Sequence, residues 1–215
     1  MKTLELFSGT GSFSKVALEL GHEIFRVEKN ESFEAELYVD LTEEYALDMI
    51  CNMAYEKRFD MIWASPPCQG FCIPAVRYHW RDGKPISETS RCGLKLLENT
   101  LKIIDHIQPK YWFIENPMAM MRKQPMMQGL KRDTVTYCQY GDTAMKPTDI
   151  WNNLTGWTGK RCKNGDPCHV RAPRGSKTPG STQGKKNAKE RGMIPPALFR
   201  EIFQHIKKGE GSQDG

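Results

Sequence analysis

From the N-terminus to about residue 150, short apolar runs alternate with amphipathic stretches, and this alternation leaves few architectures open. Strands separated by helices cannot pair through tight turns, so they line up in a mostly parallel sheet with helices on both faces. The apolar runs predict strands over residues 3–7, 23–27, 37–40, 61–64, 112–115 and 134–139, with a seventh, short one near Ile150 and Trp151. Apolar residues recurring at intervals of three and four predict helices over 12–20, 43–56 and 92–107. The fold class expected is α/β, built on a mostly parallel seven-stranded sheet.

From about residue 152 to 192 the texture changes to Gly, Pro, Ser, Thr and Lys with few aliphatics, so the segment cannot build its own core. It is either a linker or a binding loop ordered by a ligand. Between 160 and 191 Lys and Arg crowd against two acids, Asp166 and Glu190, which makes a polyanion a natural partner and solvated loop charge the plain alternative. Pro195 and Pro196 then open a helix over 197–206 whose apolar face, Leu198, Phe199, Ile202 and Ile206, is expected to pack on the main sheet, before a disordered tail. A chain of 215 residues suits one domain with a small appendage. No apolar run is long enough to span a membrane, and the first residues lack the layout of a secretion signal. The expectation is a soluble, cytoplasmic monomer in a bacterial or phage-infected cell, with its seven cysteines reduced and free for packing, metal binding or catalysis.

Three places carry chemistry. The first strand ends in Phe7, Ser8, Gly9, Thr10 and Gly11, a turn whose glycines let the backbone pass close to a ligand and whose helix offers free N–H groups. Glu28 ends the second strand, where a carboxylate can take both ribose hydroxyls, and Asp40 ends the third, placed for an adenine amino group. Together they suggest an adenosine cofactor. The fourth strand runs into Ser65-Pro-Pro-Cys-Gln-Gly70, where paired prolines fix the loop that presents Cys68 at the carboxyl edge of the sheet. The fifth ends on Glu115, a carboxylate that is costly to desolvate unless it binds something or stays partly protonated.

In this order, Glu5-Leu-Phe-Ser-Gly-Thr-Gly11, Pro66-Pro-Cys-Gln69 and Glu115-Asn-Pro117 resemble the C5-cytosine DNA methyltransferases over about residues 1–150, in a compact, phage-like form. The resemblance implies a Rossmann-like S-adenosylmethionine-dependent methyltransferase fold, S-adenosylmethionine bound by the turn, Glu28, Asp40 and Pro66, and DNA as partner. It implies that Cys68 adds to carbon 6 of cytosine while Glu115 holds the ring. Residues 1–151 would form the catalytic and cofactor-binding domain, 152–192 a reduced target-recognition region, 193–208 a closing helix and 209–215 the tail.

Departures from the pattern are informative. Glu5 stands where the family usually has Asp, and the Gln-x-Arg-x-Arg segment is missing, leaving Lys146 and Thr148 as substitutes; a lysine gives a point charge where arginine gives a planar fork. The recognition region is short, so Gln69, Arg77, Arg171, Arg174, Lys177 and Lys185 are candidates for nucleic-acid contacts, chiefly to phosphates. His79, Trp80 and Arg81 beside Arg77 either close over a flipped base or enter the duplex gap it leaves, or else form a surface loop. Cys138, Cys162, Cys168 and His169 offer four groups for zinc in a spacing unlike a standard finger, so packing is the weightier reading. The alternatives to a DNA enzyme are a tRNA cytosine-5 methyltransferase and a catalytically idle DNA-binding homologue. A role in restriction-modification lies beyond what residues show.

Overall fold

The computed structural model describes residues 1–173, 176–178 and 181–211. β1 (Lys2–Leu6) leads through the glycine turn into α1 (Ser12–Glu19), followed by β2 (Glu23–Glu28), β3 (Leu37–Tyr38), α2 (Glu44–Lys57) and β4 (Met61–Ala64). A short helix α3 (Val76–His79) and a two-stranded ribbon, β5 (Trp80–Arg81) with β6 (Lys84–Pro85), precede α4 (Glu88–Ile107). Then come β7 (Tyr111–Pro117), β8 (Arg132–Thr136), β9 (Pro147–Asn152), α5 (Ala188–Gly192) and α6 (Pro196–Gly211).

The seven-stranded sheet has the order β3-β2-β1-β4-β7-β9-β8. Only β9 runs antiparallel to its neighbours. Central strands are apolar on both faces because both are covered. Leu4, Leu6, Ile62, Ala64 and Ile114 pack against α2 and α4 through Ile50 and Leu97. Met61, Trp63 and Phe113 point the other way, into a core with Phe13 of α1 and Phe199 and Ile202 of α6. Trp63 fixes that second layer, stacked on Phe13 at 5.6 Å and meeting the Phe199 ring edge-on at 4.8 Å. The α/β class and the mostly parallel seven-stranded sheet expected from the sequence are both present.

Several boundaries differ from expectation, the strand expected over 37–40 stopping at Tyr38 among them, and three of the differences have clear local reasons. α4 starts at Glu88 rather than 92 because Ser87 and Ser90 cap it reciprocally, each side chain taking the other's backbone N–H at 3.2 Å. The strand expected over 134–139 stops at Thr136, and Tyr137–Tyr140 wind into a 3-10 turn that ends on Gly141 at φ 94°, reversing the chain toward β9. α6 continues to Gly211, so residues 207–211 are helical; Lys110 pairs with Glu210 at 2.6 Å. Residues 212–215 lie outside the described residues. Among the described residues no helix is long and apolar enough to cross a membrane.

The order of strands reverses between β1 and β4, so the helices after them diverge and open a crevice at their carboxyl ends, where such sheets bind ligands. The glycine turn leaves β1 at this point and the Cys68 loop leaves β4 beside it. That loop is pressed onto α4: a Cβ at Gly70 would lie 2.7 Å from the Thr89 carbonyl oxygen. Gly70→Ala must therefore move the backbone next to Cys68, and it should lower stability by about 1–3 kcal/mol in urea unfolding. An unchanged midpoint would show that the loop is not held against α4.

Candidate active site

The glycine turn is strained in a useful way. Phe7, Gly9 and Gly11 have φ of 60°, 48° and 66°. Gly9 N–H is thereby aimed at Glu28, whose Oε2 accepts it at 2.8 Å, while Oε1 takes the N–H groups of Lys29 and Asn30. The ends of β1 and β2 are thus tied through one carboxylate. Asp40 accepts from Thr42 N at 2.9 Å and pairs with Lys29 at 2.5 Å on the exposed side. The Ser8 hydroxyl is buried in the turn and has no partner among the described residues. Beneath the turn lies Glu5, 4% exposed, whose carboxylate reaches the Ser14 N–H of α1 at 3.2 Å. Burial pushes its pKa up to about 7.

Cys68 begins a 3-10 turn, Cys68–Gly70, that closes on its own carbonyl through Phe71 and Cys72 N–H. The preceding Pro66 carbonyl accepts from Asn116 Nδ2 at 2.8 Å, so the Glu-Asn-Pro strand end grips the Pro-Pro-Cys loop directly. Glu115, 6% exposed, sits beside Asn116 and accepts a hydrogen bond from the Tyr137 hydroxyl at 2.9 Å. Burial pushes the Glu115 carboxyl up, while Lys146 and the Tyr137 hydroxyl pull it back. Burial and the Glu115 charge hold the Tyr137 phenol well above its ordinary range, keeping it a donor.

Lys146 enters the same space from the loop before β9. It has φ 29°, its ammonium lies 4.5 Å above the Tyr137 ring, and it donates to the Arg191 carbonyl at 2.8 Å. Burial pushes its pKa down; the charges of Glu115 and Cys68 push it up. The Cys68 thiol is raised by burial and by Glu115, and Lys146 acts against both. Three strand ends therefore deliver a thiol, a carboxyl and an ammonium to one place. Thr148 is fully buried and turns its hydroxyl to the Lys146 carbonyl at 3.2 Å, so it supports the loop.

Other candidates are placed unevenly. Gln69, Arg77, Arg171 and Lys177 are exposed. Arg174 lies outside the described residues. Lys185 is not a free surface cation: it pairs with Asp142 at 2.5 Å with its side chain only 19% exposed. Trp80 is 5% exposed, donates to the Gly70 carbonyl at 2.5 Å and lies on Phe71, so the reading of it as a residue entering a duplex gap is corrected; it is the floor of the Cys68 loop. His79 meets the Ser87 hydroxyl at 2.7 Å, at the cap of α4, and Arg81 is exposed. Cys138, Cys162, Cys168 and His169 come together at one point.

A model of the C-5 cytosine-specific DNA methylase family matches residues 1–130. The chain belongs to this family. A protein of Frog virus 3 (isolate Goorha) named "Probable DNA (cytosine-5)-methyltransferase" is 29% identical over 225 residues, an alignment that covers 94% of this chain and 99% of the viral protein. A solved structure named as a "putative DNA modification methyltransferase" encoded within an E. coli prophage is 17% identical with a TM-score of 0.49, covering 71% of this chain and 46% of that one. A DNMT2 variant from Spodoptera frugiperda is 18% identical with a TM-score of 0.46, covering 75% and 53%. The chain thus spans about half the length of these two solved proteins.

The family's cofactor is S-adenosylmethionine, and the residues present fit it: a buried Ser8 hydroxyl with no partner among the described residues, a turn in which Gly9 and Gly11 take positive φ, the Glu28 carboxylate ending β2, and Asp40 two residues after β3. Two contributors to the methylase site escaped the sequence reading. Tyr137 reads as part of a strand in the sequence and Asn116 only as a motif letter; what they do depends on contacts 22 and 50 residues away. If Lys146 sets the thiol's ionisation, Lys146→Met should raise the apparent pKa of Cys68 in the pH dependence of its alkylation by iodoacetamide, and Lys146→Arg should restore it. Equal profiles in all three proteins would separate the ammonium from the thiol.

Proposed function

We propose that this methylase transfers a methyl group to carbon 5 of cytosine in DNA through a covalent bond to Cys68. The observation that carries the reading is the convergence of Cys68, Glu115 and Lys146 at the carboxyl edge of β4 and β7, next to the glycine turn.

Carbon 5 of cytosine is too weak a nucleophile to take a methyl group unaided. The Cys68 thiolate forms a bond to carbon 6, and the electron pair displaced from the 5,6 double bond makes carbon 5 nucleophilic. Glu115, its carboxyl raised by burial, shares a proton with ring N3 and accepts from the exocyclic amine, which draws charge toward N3 as the thiolate adds. Tyr137 holds that carboxyl in register. Lys146 steadies the thiolate before attack. S-adenosylmethionine, when bound by Phe7, Ser8, Gly9, Thr10, Gly11, Glu28, Asp40 and Pro66, supplies an electrophilic sulfonium methyl. Once carbon 5 carries the methyl group, a base or water takes its proton, the double bond re-forms and the bond to Cys68 breaks.

The reacting atoms of cytosine are hidden in a duplex, so the base must leave the stack or be presented unpaired. Gln69 and Arg77 flank the Cys68 loop, and Arg171 and Lys177 add exposed positive charge. With so short a recognition region, most of the affinity would come from phosphates, and binding should weaken steeply with salt.

Purified protein incubated with methyl-labelled S-adenosylmethionine and duplex DNA should place label in 5-methyldeoxycytidine, with the rate falling at least about a thousandfold in Cys68→Ala. Label in tRNA alone would move the substrate to RNA. Absence of label in any nucleic acid, with cofactor binding shown, would make the chain a binding protein.

A further inference from the structure

We propose that Cys138, Cys162, Cys168 and His169 form a structural zinc site that fastens the basic recognition segment to the active-site wall. The spacing along the chain argued for packing; the geometry points to a metal. The four candidate ligand atoms lie within 4.8 Å of one another. Cys138 Sγ is 3.3 Å from Cys162 Sγ and 3.6 Å from Cys168 Sγ. His169 Nδ1 is 3.7 Å from Cys162 Sγ and 3.5 Å from Cys168 Sγ. In a tetrahedral site with zinc–sulfur bonds of about 2.3 Å, ligand atoms sit about 3.5–3.8 Å apart; three of the four spacings given, 3.5, 3.6 and 3.7 Å, fall in that range, and the fourth, 3.3 Å, lies just below it. Three thiols and an imidazole suit zinc better than hard cations, and four protein ligands leave no open position, as in structural sites.

The surroundings show what the metal would do. Cys138 lies in the 3-10 turn next to Tyr137, the partner of Glu115, whereas the other three ligands come from the polar stretch 162–169, which has little apolar matter to hold it. Backbone bonds already lay one against the other: Thr136 N–H to the Lys160 carbonyl, Cys162 N–H to the Thr136 hydroxyl, and Val170 N–H to the Thr143 carbonyl. A zinc ion at this seam would supply the ordering energy that the segment cannot obtain by burial. It would also connect Arg171 and the basic residues beyond it to the turn that positions Tyr137.

The test is metal content, which does not depend on the reaction. Full-length protein from zinc-supplemented medium, kept reduced and gel-filtered, should hold about one zinc per chain by elemental mass spectrometry, and Cys51→Ser, altered on α2, should keep it. Cys162→Ser and His169→Ala should lose it. Because these variants can misfold, the unaltered protein is also alkylated with and without a strong chelator: Cys138, Cys162 and Cys168 should be protected until chelation, while Cys51 and Cys92 react throughout. Zinc-free protein that takes up none when the ion is added, full zinc in Cys162→Ser, a Cys138–Cys162 disulfide in its place, or equal alkylation with and without chelator would each overturn the proposal.

Discussion

The reversal of strand order between β1 and β4 is the constraint on which the rest of the molecule depends. Two adjacent parallel strands send their following segments to opposite faces, so backbone leaves the sheet on both sides of one crevice. The glycine turn occupies one lip and the Cys68 loop the other. The Cys68 thiol and the glycine turn are thereby neighbours by topology, although Cys68 comes 57 positions after Gly11 in the chain. Close packing of Trp63 between Phe13, Phe113 and Phe199 below the crevice keeps those lips from shifting.

On this frame the site is tuned by burial more than by charge count. Glu5, Glu115 and Cys68 all have their pKa values raised by removal from water, which favours their neutral forms. A neutral or proton-sharing Glu115 can give a proton to a base, and a buried thiol stays unreactive until a cation beside it favours the thiolate. Lys146 is placed to do this. Its ammonium is held over Tyr137 and anchored on the carbonyl of Arg191. This anchoring also joins the far end of the basic segment to the site, so the segment is fastened at both ends: by Lys146 at Arg191, and along its start by bonds to Thr136 and Thr143.

Much of this was legible in the sequence because its signals are local. The apolar runs over 61–64 and 112–115 read as strands, which the structure places at Met61–Ala64 and Tyr111–Pro117, and the turn after β1, Cys68 and Glu115 stood out as chemistry stranded at strand ends. What was not legible depends on contacts between segments distant in the chain. Trp80 looks like a probe on a surface loop until Gly70 and Phe71 are seen packed against it. Lys185 looks like one of many loop cations until Asp142 is seen to claim it. The 3-10 turn at Tyr137–Tyr140 carries strand-like residues, and only the need to reverse into β9 explains why it is not a strand.

The central claim is that Cys68 itself attacks the base, and a substrate that cannot complete the reaction tests it most directly. A duplex carrying 5-fluorocytosine lets the thiolate add and the methyl group arrive but blocks the last elimination, because fluorine cannot leave as a cation. Incubated with S-adenosylmethionine, the protein should form a stable complex with this DNA, and peptide mass spectrometry should place the bond, together with one methyl group, on Cys68. A complex bonded through another cysteine, or methyl transfer to ordinary cytosine with no trapped complex on the fluorinated base, would contradict the account.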